Sequence, residues 1–283
     1  MPRPAPINTK GFTLIELVTV IIVLGVVSVG ISGFIRTGVE IYTDSTDRDQ
    51  LLGDSRFVVE RINREIRMAV PNSVRVVTNS LNSIQCVEFV PSEWVSFYTS
   101  LSVLPDTSTN ATVVEWGNNP GGFVWQAGDF AIVYPTNNNE VYDISLNKRI
   151  AITACIDDGG DSDCASADDP KGTSQLTLAA TFDDYSPASR LYIARKTVSY
   201  CANANGDIYR NEINSISNTQ EIHETGTLMA ENLKNDISQT DEAPFRVYEA
   251  TLTRNSLVQI SLSFDRNEEI INYNSEVHVP NVP

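Results

Sequence analysis

The sequence is poor in basic residues, histidine and cysteine, and each shortage argues against a class of function. Of its 283 residues, 20 are Lys or Arg and 36 are Asp or Glu, which gives a net charge of −16. Nucleic-acid binding through a basic patch is disfavoured, because neutralising phosphates requires clustered Lys and Arg. The acidic balance is more simply a source of solubility.

Catalytic motifs are equally scarce. There is no G-x-S-x-G elbow, no H-E-x-x-H and no Walker A loop, so motif-coded hydrolases and nucleotide-driven motors have no support. The two histidines are His223, in a polar stretch where we expect an exposed side chain, and His278, which alternates with valines as in a strand facing solvent. We expect no enzymatic activity and no cofactor.

A long apolar run near the N-terminus is the strongest feature present. Residues 12–35 carry one charge, Glu16, and about 20 apolar residues in a helix span a bilayer core of roughly 30 Å. A secretory signal peptide would have a shorter apolar core and an A-x-A site, which does not follow this run. Arg3 and Lys10 precede it and acids follow it, so the positive-inside rule places the leader in the cytoplasm.

The segment "GFTLIE", Gly11 to Glu16, follows a short basic leader and opens this apolar run. It resembles the class III signal of type IV prepilins and of type II secretion pseudopilins. The resemblance implies that prepilin peptidase cleaves between Gly11 and Phe12 and methylates the new amino group of Phe12. It implies as partners this peptidase, the inner membrane, other minor pilins and the major pilin.

Glu16 needs an explanation, because a carboxylate in lipid costs about 2.5–3.5 kcal/mol on insertion scales unless it finds a partner. The pilin resemblance implies that Glu16 meets the N-terminal amine of a neighbouring subunit during assembly, which recovers much of that cost. The alternative is that Glu16 snorkels to the interface near the helix end.

The predicted fold class is α+β and type IV pilin-like, with a long N-terminal helix packed on a β-rich antiparallel head. The expected segments are a leader (1–11), the transmembrane half of the helix (12–35), its amphipathic half (36–70) and a periplasmic head (72–283). Leu52, Val59, Ile62, Ile66, Ala69 and Val70 form the apolar stripe of the amphipathic half. Pro71 stops the helix.

Gly33 stands where many major pilins have a helix-interrupting Pro. Two readings stay open for the glycines of the membrane half: local melting on assembly, or close helix packing through small residues.

Strand-like runs dominate the head. We predict strands at 84–90, 112–116, 129–134, 149–155, 176–180, 191–201, 207–210, 244–253, 257–264 and 270–279, and a short helix at 228–237. Hairpins are predicted at Asn205-Gly206 and at Arg254-Asn255.

Four cysteines, Cys86, Cys155, Cys164 and Cys201, all fall in the part expected to be periplasmic, where an even count suggests two disulfides among three possible connectivities. Cys155 and Cys164 flank one loop, so we pair them and leave Cys86 with Cys201. Zinc is disfavoured, because there is no C-x-x-C.

The loop between Cys155 and Cys164 carries Asp157, Asp158, Asp161 and Asp163. These carboxylates are calcium candidates, but their spacing fails the EF-hand pattern, and a solvated acidic loop is the simpler interpretation. Trp94, Phe97 and Tyr98 form either an ordinary strand or a partner-binding patch.

Short strings in the head narrow the resemblance. "SYC…G.IYR" and the ending "EVHVPNVP" resemble the minor pilins that include PilW-like proteins, J minor pseudopilins and the minor pilins of mannose-sensitive haemagglutinin (MSHA) pili. This implies a non-catalytic subunit that initiates or caps a filament. The alternatives are a minor pseudopilin of a type II secretion system, and a membrane-anchored adhesin or periplasmic enzyme.

Overall fold

The computed structural model describes residues 11–114, 125–157, 172–249, 256–267 and 269–279. The chain divides into two compact units, Met1–Gln50 and Leu51–Pro283. Within the described ranges it contains one long helix and an antiparallel β-rich head, which confirms the predicted α+β class.

Helix α1 (Leu14–Arg67) begins in the first unit and ends in the second. In the second unit its buried residues recur every three or four positions, so one stripe of the helix faces the head. These residues are Leu51, Ser55, Val58, Val59, Ile62 and Ile66. Leu52, which we placed on the stripe, is only half-buried, because Leu51 takes the inward position.

Helix α1 ends three residues before the predicted Val70. Ala69 forms an isolated bridge with Pro91, and the Val70 amide donates to the Val90 carbonyl at 2.8 Å. Pairing with the segment at Val90 and Pro91 therefore replaces the last helical hydrogen bonds. The helix ends for this reason before it reaches Pro71, which we expected to stop it.

Two sheets enclose the stripe of α1. The first has the order β1-β2-β9-β10-β11 and the second β12-β13-β14. Side chains of both sheets and of α1, including Ile62, Phe89 and Phe264, form one buried core. The strands are β1 (Arg75–Thr78), β2 (Ile84–Phe89), β9 (Thr197–Asn203), β10 (Ile208–Ile213), β11 (Thr227–Ala230), β12 (Phe245–Tyr248), β13 (Ser256–Arg266) and β14 (Glu269–Val279).

The remaining strands close into a barrel with its own core, in the order β3-β4-β7-β6-β5-β8. The whole barrel is an insertion between β2 and β9, two strands that pair directly with each other. The barrel contains β3 (Trp94–Leu101), β4 (Asn110–Val114), β5 (Phe130–Ile132), β6 (Arg149–Asp157), β7 (Thr173–Leu178) and β8 (Arg190–Ala194), with the short helix α2 (Asn138–Tyr142) and a 3₁₀ turn (Ile144–Leu146).

Two predicted elements of the head are wrong. The strand predicted at 191–201 is two strands, because β8 belongs to the barrel and β9 to the first sheet. The helix predicted at 228–237 is absent: β11 pairs with β10, and Leu233 bridges to Phe264 of β13. In both places a partner distant in sequence decides the structure. β12 and β13 pair as predicted, but the turn at Arg254-Asn255 lies outside the described residues.

The hairpin at Asn205-Gly206 is confirmed, since β9 and β10 pair antiparallel on either side of it. The Asn203 side chain accepts hydrogen bonds from the amides of Asn205 and Asp207, both at 3.0 Å. Gly206 has φ +93°, and a Cβ added there would lie 3.0 Å from the Leu233 carbonyl oxygen. Only glycine fits both restraints.

We therefore expect Gly206→Ala to lower the free energy of unfolding by about 2 kcal/mol, through backbone strain and the close approach to Leu233. Gly128→Ala is the matched control, because Gly128 has φ +102° but open space at its Cβ position. Urea unfolding of both variants measures the difference. Equal losses would contradict the role of the Leu233 contact.

Candidate functional site

The start of α1 is a capping box that involves Glu16. The Thr13 amide and hydroxyl donate to Glu16 Oε2 at 2.9 and 2.8 Å. The Glu16 amide donates back to Thr13 Oγ1 at 3.4 Å. This reciprocal arrangement satisfies amides that a helix N-terminus otherwise leaves unpaired. Within the described residues, both hydrogen bonds to the Glu16 side chain go to Oε2, so Oε1 is left to accept from outside the chain.

An exposed apolar surface follows the capping box. Phe12 is 86% exposed and Phe34 79% exposed, and the other large apolar side chains between them are also open. The helix is long and apolar enough to cross a membrane. Arg36 and Glu40 form an ion pair at 2.9 Å just after the apolar run. The helix is continuous through Gly33.

A second polar site joins the first sheet to the barrel, and we call Arg75, Glu88 and Tyr142 the barrel junction. Arg75 Nη2 lies 2.6 Å from Glu88 Oε1, and the Arg75 guanidinium lies 3.5 Å from the centre of the Tyr142 ring. Arg75 also donates to the carbonyls of Ser217 and Asn218 at 2.9 and 2.8 Å. Arginine suits this position because its planar fork serves several acceptors at once.

Burial dominates the electrostatics of the barrel junction. Glu88 is only 4% exposed, and this burial raises its pKa although Arg75 opposes the shift. Burial also raises the pKa of the Tyr142 hydroxyl, which donates to the Ser73 carbonyl at 2.8 Å. No sequence motif marks this site, because Arg75 and Glu88 meet only through the pairing of β1 with β2.

A disulfide lies at the base of the barrel insertion. Cys86 of β2 and Cys201 of β9 are directly opposite in the strand register and are bonded, with Cα atoms 4.0 Å apart. Both side chains are buried. The predicted Cys86–Cys201 pair is confirmed. Cys155 is buried at the end of the barrel core, and its predicted partner Cys164 lies outside the described residues.

The calcium candidates gain no support. Asp158, Asp161 and Asp163 lie outside the described residues, as does the side chain of Asp157, whose backbone ends β6. Among the side chains that the structure does describe, no group of three or more His, Cys, Asp or Glu could hold a metal ion.

The aromatic and histidine candidates do not converge on one surface. Tyr98 is buried and its hydroxyl donates to the Ser186 carbonyl at 3.1 Å, whereas Phe97, next along β3, is 42% exposed under the Arg190 guanidinium. His278 is exposed on β14, as predicted. His223 is half-buried rather than exposed, and its Nε2 is shielded from solvent near Glu88.

A long apolar N-terminal helix followed by an antiparallel β-rich head is the layout of a type IV pilin-like fold. The model of the prokaryotic N-terminal methylation motif matches residues 7–32. This match indicates a pilin or pseudopilin that is anchored in a membrane, processed by prepilin peptidase and assembled with other pilins. No curated protein and no solved structure matches the chain.

Proposed function

We propose that this protein is a non-catalytic minor pilin of an MSHA-type type IV pilus, which initiates or caps the filament. The observation that carries the proposal is the methylation motif at residues 7–32 on an exposed apolar helix. The strings in the head support the MSHA assignment by their resemblance to the O protein of MSHA biogenesis (MshO). The leader would lie in the cytoplasm and the head in the periplasm.

The barrel insertion supports a place at the filament end. It adds a second core to a head that already encloses α1 between two sheets. A head enlarged in this way packs poorly along a thin filament of small subunits, whereas a tip or base position leaves room for it.

The geometry of Glu16 supports its role in assembly. In the single chain, Glu16 Oε2 is occupied by Thr13. Oε1 is then the atom that would accept from the N-terminal amine of a neighbouring subunit, and pairing of opposite charges would offset the cost of the carboxylate in lipid. The capping box would hold the side chain in place for this contact.

Processing is the first test. We expect intact-mass and N-terminal peptide spectrometry of protein from its own host membranes to give a chain that begins with N-methylated Phe12. The expectation rests on the methylation motif, which matches residues 7–32 and includes Gly11 before the cut and Phe12 after it. A chain that still begins near Met1, or that is cut after the apolar run, would overturn the pilin proposal.

A matched pair of variants sharpens this test. Gly11→Val should leave the leader in place, whereas Gly25→Val, inside the apolar run with open space at its Cβ position, should be processed normally. Deletion of the gene separates the remaining alternatives. Loss of surface pili supports the pilus subunit, loss of exoprotein secretion with intact pili supports the pseudopilin, and normal filaments with a lost binding or catalytic activity support an adhesin or enzyme.

A further inference from the structure

Three connections between barrel strands meet at one end of the barrel. Every neighbouring pair of barrel strands is antiparallel, so β3, β5 and β7 run in one direction and β4, β6 and β8 in the other. The connections after β3 (102–109), β5 (133–148) and β7 (179–189) therefore lie at the same end, which we call the loop end. The chain enters the barrel from β2 and leaves it toward β9 at the opposite end.

Hydrogen bonds tie the three connections together. The Leu104 amide of the first donates to the Phe182 carbonyl of the third at 2.9 Å. The next residue, Asp183, donates its amide to the Asn147 carbonyl of the second connection at 3.4 Å, and the Asn147 side chain donates to Asp183 Oδ1 at 3.3 Å. The third connection thus contacts both others at successive residues, so their side chains share one surface.

This surface has an apolar centre. Leu104 is 52% exposed, Ile144 53%, Leu146 38% and Tyr185 59%, and together they come from all three connections. Single exposed apolar side chains are ordinary, but a cluster drawn from several loops is typical of an interaction surface. Tyrosine is also a residue type that often anchors an interface.

Side-chain caps hold the apolar side chains in place. Asp143 Oδ1 accepts from the amide and the hydroxyl of Ser145 at 2.9 and 2.7 Å, which fixes the 3₁₀ turn Ile144–Leu146. Asp106 accepts in the same way from the amide and the hydroxyl of Ser108, both at 3.0 Å. The surface is thus ordered before a partner arrives, so binding has little additional ordering cost.

Negative charge accompanies the apolar centre. The three connections carry one cation, Lys148, and five acids, which are Asp106, Glu140, Asp143, Asp183 and Asp184. Lys148 is buried, and its Nζ lies 2.6 Å from Asp184 Oδ2. Hydrogen bonds from the amides and hydroxyls of nearby serines lower the pKa of Asp106 and of Asp143, so both stay charged at neutral pH.

The two arginines that directly follow these connections are engaged elsewhere. Arg149 is buried and donates to the carbonyls of Val141 and Tyr142 at 2.7 and 2.9 Å. Arg190 lies over the Phe97 ring of β3, 5.8 Å from its centre. The loop end therefore keeps its excess of negative charge.

We propose that the loop end binds a partner protein through a segment that presents Lys or Arg beside apolar side chains. Charge complementarity selects this partner. A second copy of this chain would bring the same acids face to face, and anionic lipid headgroups or nucleic acid would be repelled. Apolar side chains of the partner cover Leu104, Ile144 and Tyr185, and its cations lie beside the neighbouring acids.

Site-specific photo-cross-linking of the full-length chain in its host cells tests the proposal. A benzophenone amino acid in place of Tyr185 should give an adduct with another protein, and mass spectrometry of the cross-linked peptide should show Lys or Arg beside apolar residues. The matched control carries the same amino acid in place of Leu81, which is 82% exposed between β1 and β2. This control should not give the adduct.

Charge variants of the Tyr185 reporter test the role of the acids. Asp106→Lys combined with Asp183→Lys should lower the adduct yield at least about tenfold. Asp106→Asn combined with Asp183→Asn keeps acceptor oxygens for the local hydrogen bonds and should also lower it, which separates lost charge from a misfolded loop. Asp241→Lys combined with Glu276→Lys, at exposed acids outside the loop end, should leave the yield unchanged.

A second pair of variants tests the apolar centre. Ile144→Ser should lower the adduct yield of the Tyr185 reporter, because it removes apolar area from the surface. Ile270→Ser should not, although Ile270 of β14 is similarly exposed at 50%.

Several results would overturn the proposal. They are no adduct at Tyr185, an equal adduct at Leu81, a cross-link to a second copy, to lipid or to nucleic acid, a cross-linked peptide without Lys or Arg, and a yield that ignores the charge variants. The loop end uses neither Gly11 nor Glu16. A failed cleavage test would therefore leave this inference standing, and a missing adduct would leave the proposed function standing.

Discussion

Arg75→Ala is expected to lower the free energy of unfolding by about 3–5 kcal/mol at neutral pH, because it leaves Glu88 as an unpaired buried carboxylate. In the native protein Glu88 receives Arg75 Nη2 at 2.6 Å and Nε at 2.9 Å. The substitution also removes the donors to Ser217 and Asn218 and the cation over the Tyr142 ring. Urea unfolding followed by tryptophan fluorescence measures the loss.

The loss of unfolding free energy in Arg75→Ala should depend on pH. Burial raises the pKa of Glu88 above its ordinary 4.5 even with Arg75 present, and removing the cation raises it further. A raised folded pKa contributes stability that is present below 4.5 and disappears as the pH rises through the folded pKa. The difference in unfolding free energy between Arg75→Ala and the wild type should therefore be smaller near pH 5 than near pH 8.

Two controls isolate the buried charge in this experiment. Adding Glu88→Gln to Arg75→Ala removes the carboxylate. The stability lost by this double variant should therefore change little with pH. Arg64→Ala, on the exposed face of α1, should change stability by less than about 0.5 kcal/mol. A pH-independent deficit in Arg75→Ala would show that lost packing, rather than the Glu88 charge, accounts for the effect.

Removing the disulfide with Cys86→Ala and Cys201→Ala together is expected to cost about 4 kcal/mol. The bond closes a loop with a sequence separation of 115 residues, which includes the whole barrel, and long loops gain most from closure in the unfolded chain. The two alanines leave β2 and β9 able to pair, so the loss should appear mainly as a lower midpoint of urea unfolding. Comparison with the oxidised wild type measures it.

The control uses the wild type unfolded and refolded in reducing agent, which should lose at least as much stability as the double alanine variant, because reduction also opens the predicted Cys155–Cys164 disulfide. The Cys86–Cys201 disulfide is inaccessible to reducing agent in the native protein because both cysteines are buried, so reduction has to be carried out on unfolded chains. A loss below about 1 kcal/mol in both samples would mean that the pairing of β2 with β9 already restricts the unfolded chain.

Elements that depend on nearby residues were predicted well from the sequence. The apolar run of α1 and the Asn205-Gly206 hairpin both occur as expected, because helix periodicity and positive φ are local properties. The strand predicted at 257–264 also occurs, as part of β13. Predictions failed where a distant partner decided the outcome: the end of α1 at Arg67, the break between β8 and β9, and the strand β11 in place of a helix.

The sequence by itself determined the membrane-spanning helix, the methylation motif around Gly11 and Phe12, and a β-rich head, since each is written in contiguous residues. Only the tertiary structure decided that six strands close into a barrel between β2 and β9. It alone brought Arg75 to Glu88 and Tyr142. Those outcomes depend on contacts between residues far apart in the chain. At such contacts hydrogen-bond pairing and burial outweigh local conformational preference, and no short sequence pattern identifies which segment will be the partner.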